Sequence, residues 1–475
     1  MHAETAVSTS WSELLTGRTL LRSVALTGGV ALHAINVHIV TTILPSVVSD
    51  IGGLAYYAWN ITLFVVASIV GSALTSKLLD RLGPRRAYLL GLAVFTLGSI
   101  LCATAMSMPW MLVGRSVQGL GGGLLAALGY ALIPVLFEQR LWSRAVALES
   151  GMWGLATLLG PAAGGLFAAG GAWRLAFWCL LPVALLQAAI VASQLGGKPV
   201  QGNDAASASA PVRVPLFKIA LLALSVLLVA FAGQVEDTAG KLFGVVAGVG
   251  AGVLVAWLDQ RPGGVALLPT GAYRLSTTMG KVFACVCLLM IASMTEIFVP
   301  YFLQILHGYA PLQAGYMTAA MAGGWSLASL LSSGRSGKDA DRMVRFGPLA
   351  MAVSLLALAV LLPGDVDVAA EGLWLALALG GAGLGIGLGW PHLLTRVLKS
   401  ARRGEENLAS AGITTVQLYA MAIGAALAGL TVNAAGLTEP GGVGGARHAA
   451  YALFACFAVT PALAMVLARR VARDR

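Results

Sequence analysis

Two carboxylates stand inside long apolar runs of the 475-residue chain: Glu296, within Ser293-Met294-Thr295-Glu296, and Glu149, about a turn into its run. A carboxyl withdrawn from water holds its proton more readily, so it can load from one side of a barrier and unload when opened to the other. Glu296, the deeper of the two, is the first candidate. Glu149 has two readings: the same proton work, or an interfacial acid paired with Arg144 or Arg140. His33 and His38 titrate near neutrality and come third, against a reading as hydrogen-bonded packing residues; His392, after Trp390-Pro391, ranks below them. Arg115 also falls inside an apolar run, where a guanidinium is costly unless it finds acceptors in a protein interior or an aqueous cavity. Its functional reading stands against that of a structural arginine pinned to backbone carbonyls.

Nothing else in the chain offers soluble-enzyme chemistry. There is no phosphate-cradling GxxxxGK[ST] loop and no clustered metal ligands, so no enzyme activity, cofactor or metal is expected, and work must draw on an ion gradient. The five cysteines (Cys102, Cys179, Cys285, Cys287 and Cys456) lie in apolar segments without paired metal-ligand spacing and read as small core residues. The net charge of +10 does not imply nucleic acid, because the basic residues are scattered between apolar runs.

The elements that must hold these groups are membrane helices. Hydrophobic residues make up 58% of the chain and charged ones 11%, with mean hydropathy +0.84, which excludes an ordinary soluble domain. The apolar runs are about 20 residues long, the length of a helix across roughly 30 Å of hydrocarbon, and not the ~10-residue alternation of a barrel. Fourteen spans are expected: 23–45, 57–77, 86–106, 110–136, 146–168, 173–194, 216–234, 240–258, 279–305, 312–333, 344–362, 371–394, 407–435 and 447–468. With this count 26 of the 30 Lys and Arg fall on one set of alternate loops and tails, among them Arg140, Lys198, Arg213, Arg473 and Arg475. The other loops keep Arg174, Lys241 and Arg447 and collect acids such as Asp365, Asp367 and Glu371. By the positive-inside rule both termini are expected in the cytoplasm. The N-terminal stretch, with Glu4 and Glu13, lacks the form of a signal peptide.

The expected organisation is all-α: a cytoplasmic N-terminal segment (1–22), a six-helix bundle (23–195), an Ala/Ser-rich linker (196–215), an inserted two-helix hairpin (216–258), a cytoplasmic loop (259–278), a second six-helix bundle (279–468) and a cytoplasmic tail (469–475). The hairpin rests on two apolar runs joined by a five-residue turn with Glu236 and Asp237.

Several stretches resemble the major facilitator superfamily. After the second span, Ser76-Lys77-Leu78-Leu79-Asp80-Arg81-Leu82-Gly83-Pro84-Arg85-Arg86 resembles that family's G-x-x-x-D-R-x-G-x-R-R loop, with Ser76 in place of the first glycine. Gly83 permits a tight turn, Arg81, Arg85 and Arg86 face the cytoplasm, and Asp80 can pair with a cation or a helix N-terminus to latch an inner gate. Arg115-Ser116-Val117-Gln118-Gly119-Leu120-Gly121-Gly122 resembles the family's R-x-x-q-G-x-g motif, which implies a part for Arg115 in proton coupling. Gly160-Pro161-Ala162-Ala163-Gly164-Gly165 resembles the motif of its drug/proton antiporters, with Ala147 and Ala156 where the pattern has upstream glycines. Pro161 weakens the helix ladder there, and the glycines let neighbours approach.

Trp173-Arg174-Leu175-Ala176-Phe177, leading to Pro182, and Tyr301-Phe302-Leu303-Gln304, followed by Gly308-Tyr309-Ala310-Pro311, are similar to the fourteen-helix drug/proton antiporter group. The first span departs from it: nine residues before Pro45, taken to end that helix, stands Asn36 in place of an acid, so the acid's role does not transfer. The resemblance implies proton-coupled export of drugs or other small amphipathic compounds across a bacterial inner membrane by alternating access. Import of a small solute, or a non-transporting membrane sensor or assembly subunit, are the alternatives. Expected partners are the substrate, protons and lipid, with oligomeric state left open. Asn36, Trp59, Phe64, Gln118, Trp153, Met294, Tyr301, Trp325 and Tyr419 are cavity candidates, each equally consistent with packing or lipid contact.

Overall fold

The computed structural model describes residues 12–138, 141–195, 214–364 and 368–471. Glu4, Arg140, the linker with Lys198 and Arg213, Asp365, Asp367, Arg473 and Arg475 lie outside the described residues. Among those described there are helices and no strands. Eleven helical runs are long and apolar enough to cross a membrane. One of them turns back on itself, and Leu216–Ala232 and Pro311–Ser333 complete a set of fourteen.

The first six are α1 (Gly17–Ile51), α2 (59–82), α3 (84–103), α4 (Met108–Ala131), α5 (Trp142–Ala169) and α6 (Leu175–Gln194, interrupted at Cys179). Then come α7 (Leu216–Ala232) and α8 (Thr238–Asp259), and the last six: α9 (Thr278–His307), α10 (Pro311–Ser333), α11 (Gly337–Leu361), α12 (Val368–Ser400), α13 (Glu406–Ala434) and α14 (Gly442–Val471, interrupted at Ala458). An even number of crossings puts both described chain ends at one face, the terminal face; the opposite one is the distal face.

Several boundaries differ from the sequence expectation. Pro45 does not end α1, which continues to Ile51 and stops at Gly52. At its other end α1 reaches back to Gly17, so the expected 1–22 segment is partly helical. The fourth span ends at Ala131 and is followed by a separate turn, Ile133–Leu136, where one run to residue 136 was expected. The twelfth extends to Val368–Ser400, and α14 runs into the expected tail, to Val471. Helices outlast their apolar runs because the ladder continues into the interface, where water satisfies the terminal groups.

Glycines set the close packing. Gly83 (φ 74°, ψ 168°) takes a backbone conformation that side chains disfavour and folds α2 back onto α3, with Pro84 opening α3. A Cβ on Gly119 or Gly123 would strike the backbone of Phe64 or Ser68 in α2, and one on Gly121 that of Phe95 in α3. Ser68 Oγ donates to Gly119 O at 3.0 Å and Ser72 Oγ to Gly123 O at 3.0 Å. The pairs Phe64–Gly119 and Ser68–Gly123 run in one direction, whereas Phe95–Gly121 and Cys102–Gly114 run in the other. So α4 lies parallel to α2 and antiparallel to α3.

The two six-helix groups meet toward the distal face. Tyr57 stacks on Phe298 with ring centroids 4.9 Å apart, Asn433 Nδ2 donates to Ala55 O at 3.0 Å, and Tyr316 OH lies 3.5 Å from Leu158 O. A Cβ on Gly165 of α5 would come within 2.5 Å of Leu312 Cα in α10, and one on Gly315 within 2.8 Å of the Thr42 side chain. These contacts seal the distal ends of α1, α2, α5, α9, α10 and α13 against one another.

The α7–α8 hairpin turns at residues 233–237, where Asp237 caps α8 by accepting from Gly240 N at 2.6 Å. Its α7 packs against α2 and α13: Ile219 and Leu222 cluster with Ile69, and Ser225 Oγ lies 3.1 Å from Tyr419 OH. Gln234 Nε2 donates to Ala55 O at 2.9 Å. The chain between α8 and α9 folds around the Asp259 carboxylate, which accepts from Lys218 Nζ and Leu267 N, both at 2.7 Å, Leu268 N at 3.0 Å and Tyr273 OH at 3.1 Å. Burial, then the adjacent Asp259 charge, hold the Tyr273 phenol well above its ordinary pKa. Glu405, just before α13, accepts from Thr270 N at 3.1 Å and Thr270 Oγ1 at 2.5 Å, fastening the same loop to the last six helices.

Candidate functional site

Arg115 is fully buried in the middle of the first six helices. Its Nε donates to Asn60 O at 3.1 Å, its Nη1 donates to Gln118 Oε1, and its guanidinium carbon lies 4.1 Å from the centroid of the Phe64 ring. Gln118 passes the interaction on, donating from Nε2 to Ser99 Oγ at 2.8 Å, and Ser99 donates to Phe95 O at 2.9 Å. The i, i+3 spacing of Arg115 and Gln118 puts both on one face of α4, and the glycines beside them let α2 and α3 close over that face. Arg115 Nη2 has no hydrogen-bond partner, and no carboxylate pairs with Arg115 among the described residues. The expected pinning to a backbone carbonyl is present, but it accounts for only one corner of the guanidinium.

His33 of α1 shares the Phe64 ring, stacked at 5.2 Å, and meets Trp153 of α5 edge-on at 5.8 Å. Asn36, one turn further along α1, is fully buried with both amide atoms unpartnered. His38 faces α5, its Nε2 3.5 Å from Thr157 Oγ1, against the place where Gly160 has no side chain. Glu149 lies on the same stripe of α5 as Trp153, Thr157 and Gly160, beside Val30 of α1 and Gly129 of α4. It is fully buried, and neither carboxyl oxygen has a partner. The pairing with Arg144 proposed as an alternative is therefore not formed, and Glu149 sits two turns inside its helix. The structure thus brings Arg115, Gln118, Phe64, His33 and Trp153 together, with Asn36 one turn along α1 from His33 and with His38 and Glu149 on the two sides along the α1–α5 seam.

Glu296 belongs to the other half. It is part-buried in Met294–Phe298, a 3₁₀ segment that interrupts α9, and makes no hydrogen bond or ion pair among the described residues. Such a mid-helix segment loosens the ladder where the carboxyl sits. Met294 packs against Gly424 of α13. The remaining cavity candidates are dispersed. Tyr301 joins the distal aromatic cluster with Tyr57 at 5.6 Å, Trp325 packs edge-on to Trp390 at 5.0 Å, Tyr419 meets α7, and Trp59 faces a distal crevice lined by Thr62, Gln234 and Gly429. They do not form one pocket with Arg115.

At the terminal face, Gly83 makes the expected turn, while Asp80, Arg81, Arg85 and Arg86 are all exposed. Asp80 pairs with no described residue, so the latch expected of it is not engaged in this conformation. Gly160 and Gly164 press on α1 and Gly165 on α10, with Pro161 beside Gly315, so the glycine-proline stretch is the meeting point of three helices.

Sequence reasoning missed Tyr88 and Gln187. Tyr88 OH accepts from Gly29 N at 2.9 Å and donates to Leu26 O at 3.0 Å, and Gln187 Nε2 donates to Ala25 O at 2.9 Å. The Gly28-Gly29 pair near the start of the first apolar run was the available signal for side chains inserted there. It also missed the distal clasp in which Trp173 Nε1 and Arg174 Nη1 donate to Asp50 at 3.1 Å and 2.6 Å.

A model described as Major Facilitator Superfamily matches residues 26–425. A probable multidrug-efflux transporter of Mycobacterium tuberculosis (strain ATCC 25618 / H37Rv) is 40% identical over 99% of this chain and 99% of its own. Among solved structures, a bacterial homolog of the human lysosomal transporter Spinster, inward-facing and unoccupied, aligns over 96% of this chain and 97% of its own with TM-score 0.65 and 16% identity. The crystal structure of a D-xylose-proton symporter aligns over 94% and 97% with TM-score 0.63 and 14% identity. At such identities these two likenesses concern the fold alone.

Proposed function

The chain belongs to the Major Facilitator Superfamily, and on that premise we propose that it is a secondary active transporter that exports drugs or other small amphipathic compounds by alternating access, coupled to protons. The observation that carries this reading is the end-to-end 40% identity with a protein named a probable multidrug-efflux transporter. It is a multi-pass membrane protein that moves a small-molecule substrate and is not an enzyme. We place it in the bacterial cytoplasmic membrane with the terminal face inside, as the distribution of Lys and Arg supports.

In this reading the two six-helix groups, roughly 23–195 and 279–468, rock about the midplane, with 216–258 as the inserted hairpin. The conformation described above is closed outside, with the Asp80 latch released. Glu296 and Glu149 carry protons: each is a carboxyl without a protein donor, one in each group, placed to exchange its proton as access alternates. Arg115, His33 and His38 modulate them. Asp80, Arg81, Gly83, Arg85 and Arg86 form the inner gate, and Gly160, Pro161, Gly164 and Gly165 form the outer seam.

The test is everted membrane vesicles from a host expressing the chain, with a fluorescent amphipathic dye supplied in the bath. Acidifying the vesicle interior should drive dye inward at several times the rate of vesicles without the protein, and a protonophore should remove the difference. Dye movement that follows the protons, in place of opposing them, would overturn export in favour of import.

A further inference from the structure

The core of the first six helices holds a buried cation with no counter-charge among the described residues. Arginine stays protonated even when desolvated, so a guanidinium in this setting draws an anion to itself or keeps water. Arg115 is 0% exposed, its Nη2 is unpartnered, and among the described residues no carboxylate reaches it. Phe64 occupies one approach, and Asn60 O and Gln118 Oε1 take two donors, leaving one N–H edge free.

Two further unpartnered side chains lie on the part of α1 that passes α4 beside this region. Val30 packs at Gly129 and His33 at Gly122, so α1 and α4 run antiparallel, and Asn36, one turn beyond His33, comes level with Gln118 and Arg115. Asn36 is 0% exposed with neither its amide nitrogen nor its carbonyl oxygen hydrogen-bonded, and His33 Nδ1 is also unpartnered. An unpaired buried amide is costly, because it has given up its water without gaining a partner. Two such groups beside one cation make a recognition site, since an amide N–H and a guanidinium N–H are the donors that hold a small anion.

We propose that Asn36, Arg115 and His33 form a site for a small monovalent anion, supplied either by a carboxylate on the transported compound or by a free halide. The shared chemistry is one negative charge accepting hydrogen bonds from the Arg115 Nη2 and the Asn36 amide. Phe64 and Trp153 then flank it with apolar surface suited to the rest of an amphipathic acid. Only the cargo source rests on the transport reading above; anion binding in detergent is independent of it, so the two can fail separately.

The experiment is the thermal unfolding midpoint of the purified full-length protein in detergent, titrated with sodium chloride or sodium acetate against sodium methanesulfonate at constant ionic strength. A saturable rise in Tm of about 2 °C or more is expected. A rise with chloride alone assigns the site to a free halide, and a rise with acetate assigns it to a carboxylate. Asn36→Asp supplies a carboxylate of its own and should abolish the rise. No saturable rise with either salt in the wild-type protein overturns the proposal without need of a variant, and a rise that survives unchanged in Asn36→Asp overturns its placement.

Discussion

Glu149 and Glu296 differ in their surroundings although both are carboxyls in apolar runs. Glu149 is enclosed by α1, α4 and α5 with no donor to either oxygen, whereas Glu296 keeps partial exposure in the 3₁₀ break of α9. Replacing either with Gln preserves shape and removes the exchangeable proton. Glu296→Gln and Glu149→Gln are each expected to lower pH-gradient-driven efflux at least tenfold while membrane expression and unfolding temperature stay near wild type. A variant that keeps full coupling in the vesicle assay removes that residue from the proton path. The candidates themselves were legible from the cost of charge in an apolar run, which singles out Arg115, Glu149 and Glu296. Their neighbours were not, because a sequence run carries no record of which face meets which helix. Gln118 and Asn36 acquire meaning only from the α1–α4 register, and Tyr88 only from lying against Gly29.

The glycine-proline stretch of α5 acts as an element, through what its missing side chains allow. Gly160 and Gly164 admit α1 while Gly165 admits α10, so one helix seals two contacts at the distal end. A Leu at residue 165 would meet Leu312 Cα, and overpacking of that kind costs about 1–3 kcal/mol. Gly165→Leu is therefore expected to shift the population away from the distally closed state by roughly tenfold. Impermeant maleimide labelling of a cysteine placed at the buried Thr42, which lies in the seam against Gly164 and Gly315, in a cysteine-free background, should increase from the distal side, and efflux should fall; unchanged labelling would count against the seam. Run length and basic-loop alternation made the helix number readable in advance. The ends of helices were harder: Pro45 looked like a terminator, yet α1 carries it inside, since one lost backbone hydrogen bond is tolerated where neighbouring helices support the turn.

In the whole molecule the hairpin is the feature that breaks the pairing of the two halves. Its existence was readable from two apolar runs and an acidic turn, but its seat was not, because lipid-facing and helix-facing apolar residues look alike. The Asp259 cluster anchors it: the carboxylate is 1% exposed and Lys218 12%, with two backbone N–H groups and Tyr273 completing the set. Asp259→Asn leaves the ammonium without its counter-charge, and breaking a buried pair costs about 3 kcal/mol or more. The variant should unfold several degrees lower in detergent and be cut faster by protease between residues 260 and 277; equal protease resistance would remove the cluster as an anchor. Because α7 covers the groove between α2 and α13, while α8 leans chiefly on α7, a hydrophobic molecule diffusing within the bilayer meets a wall on that flank. The opposite flank, where α5 meets α10, carries no added helix among the described residues, so the insertion gives the molecule one walled side and one bare side toward the lipid.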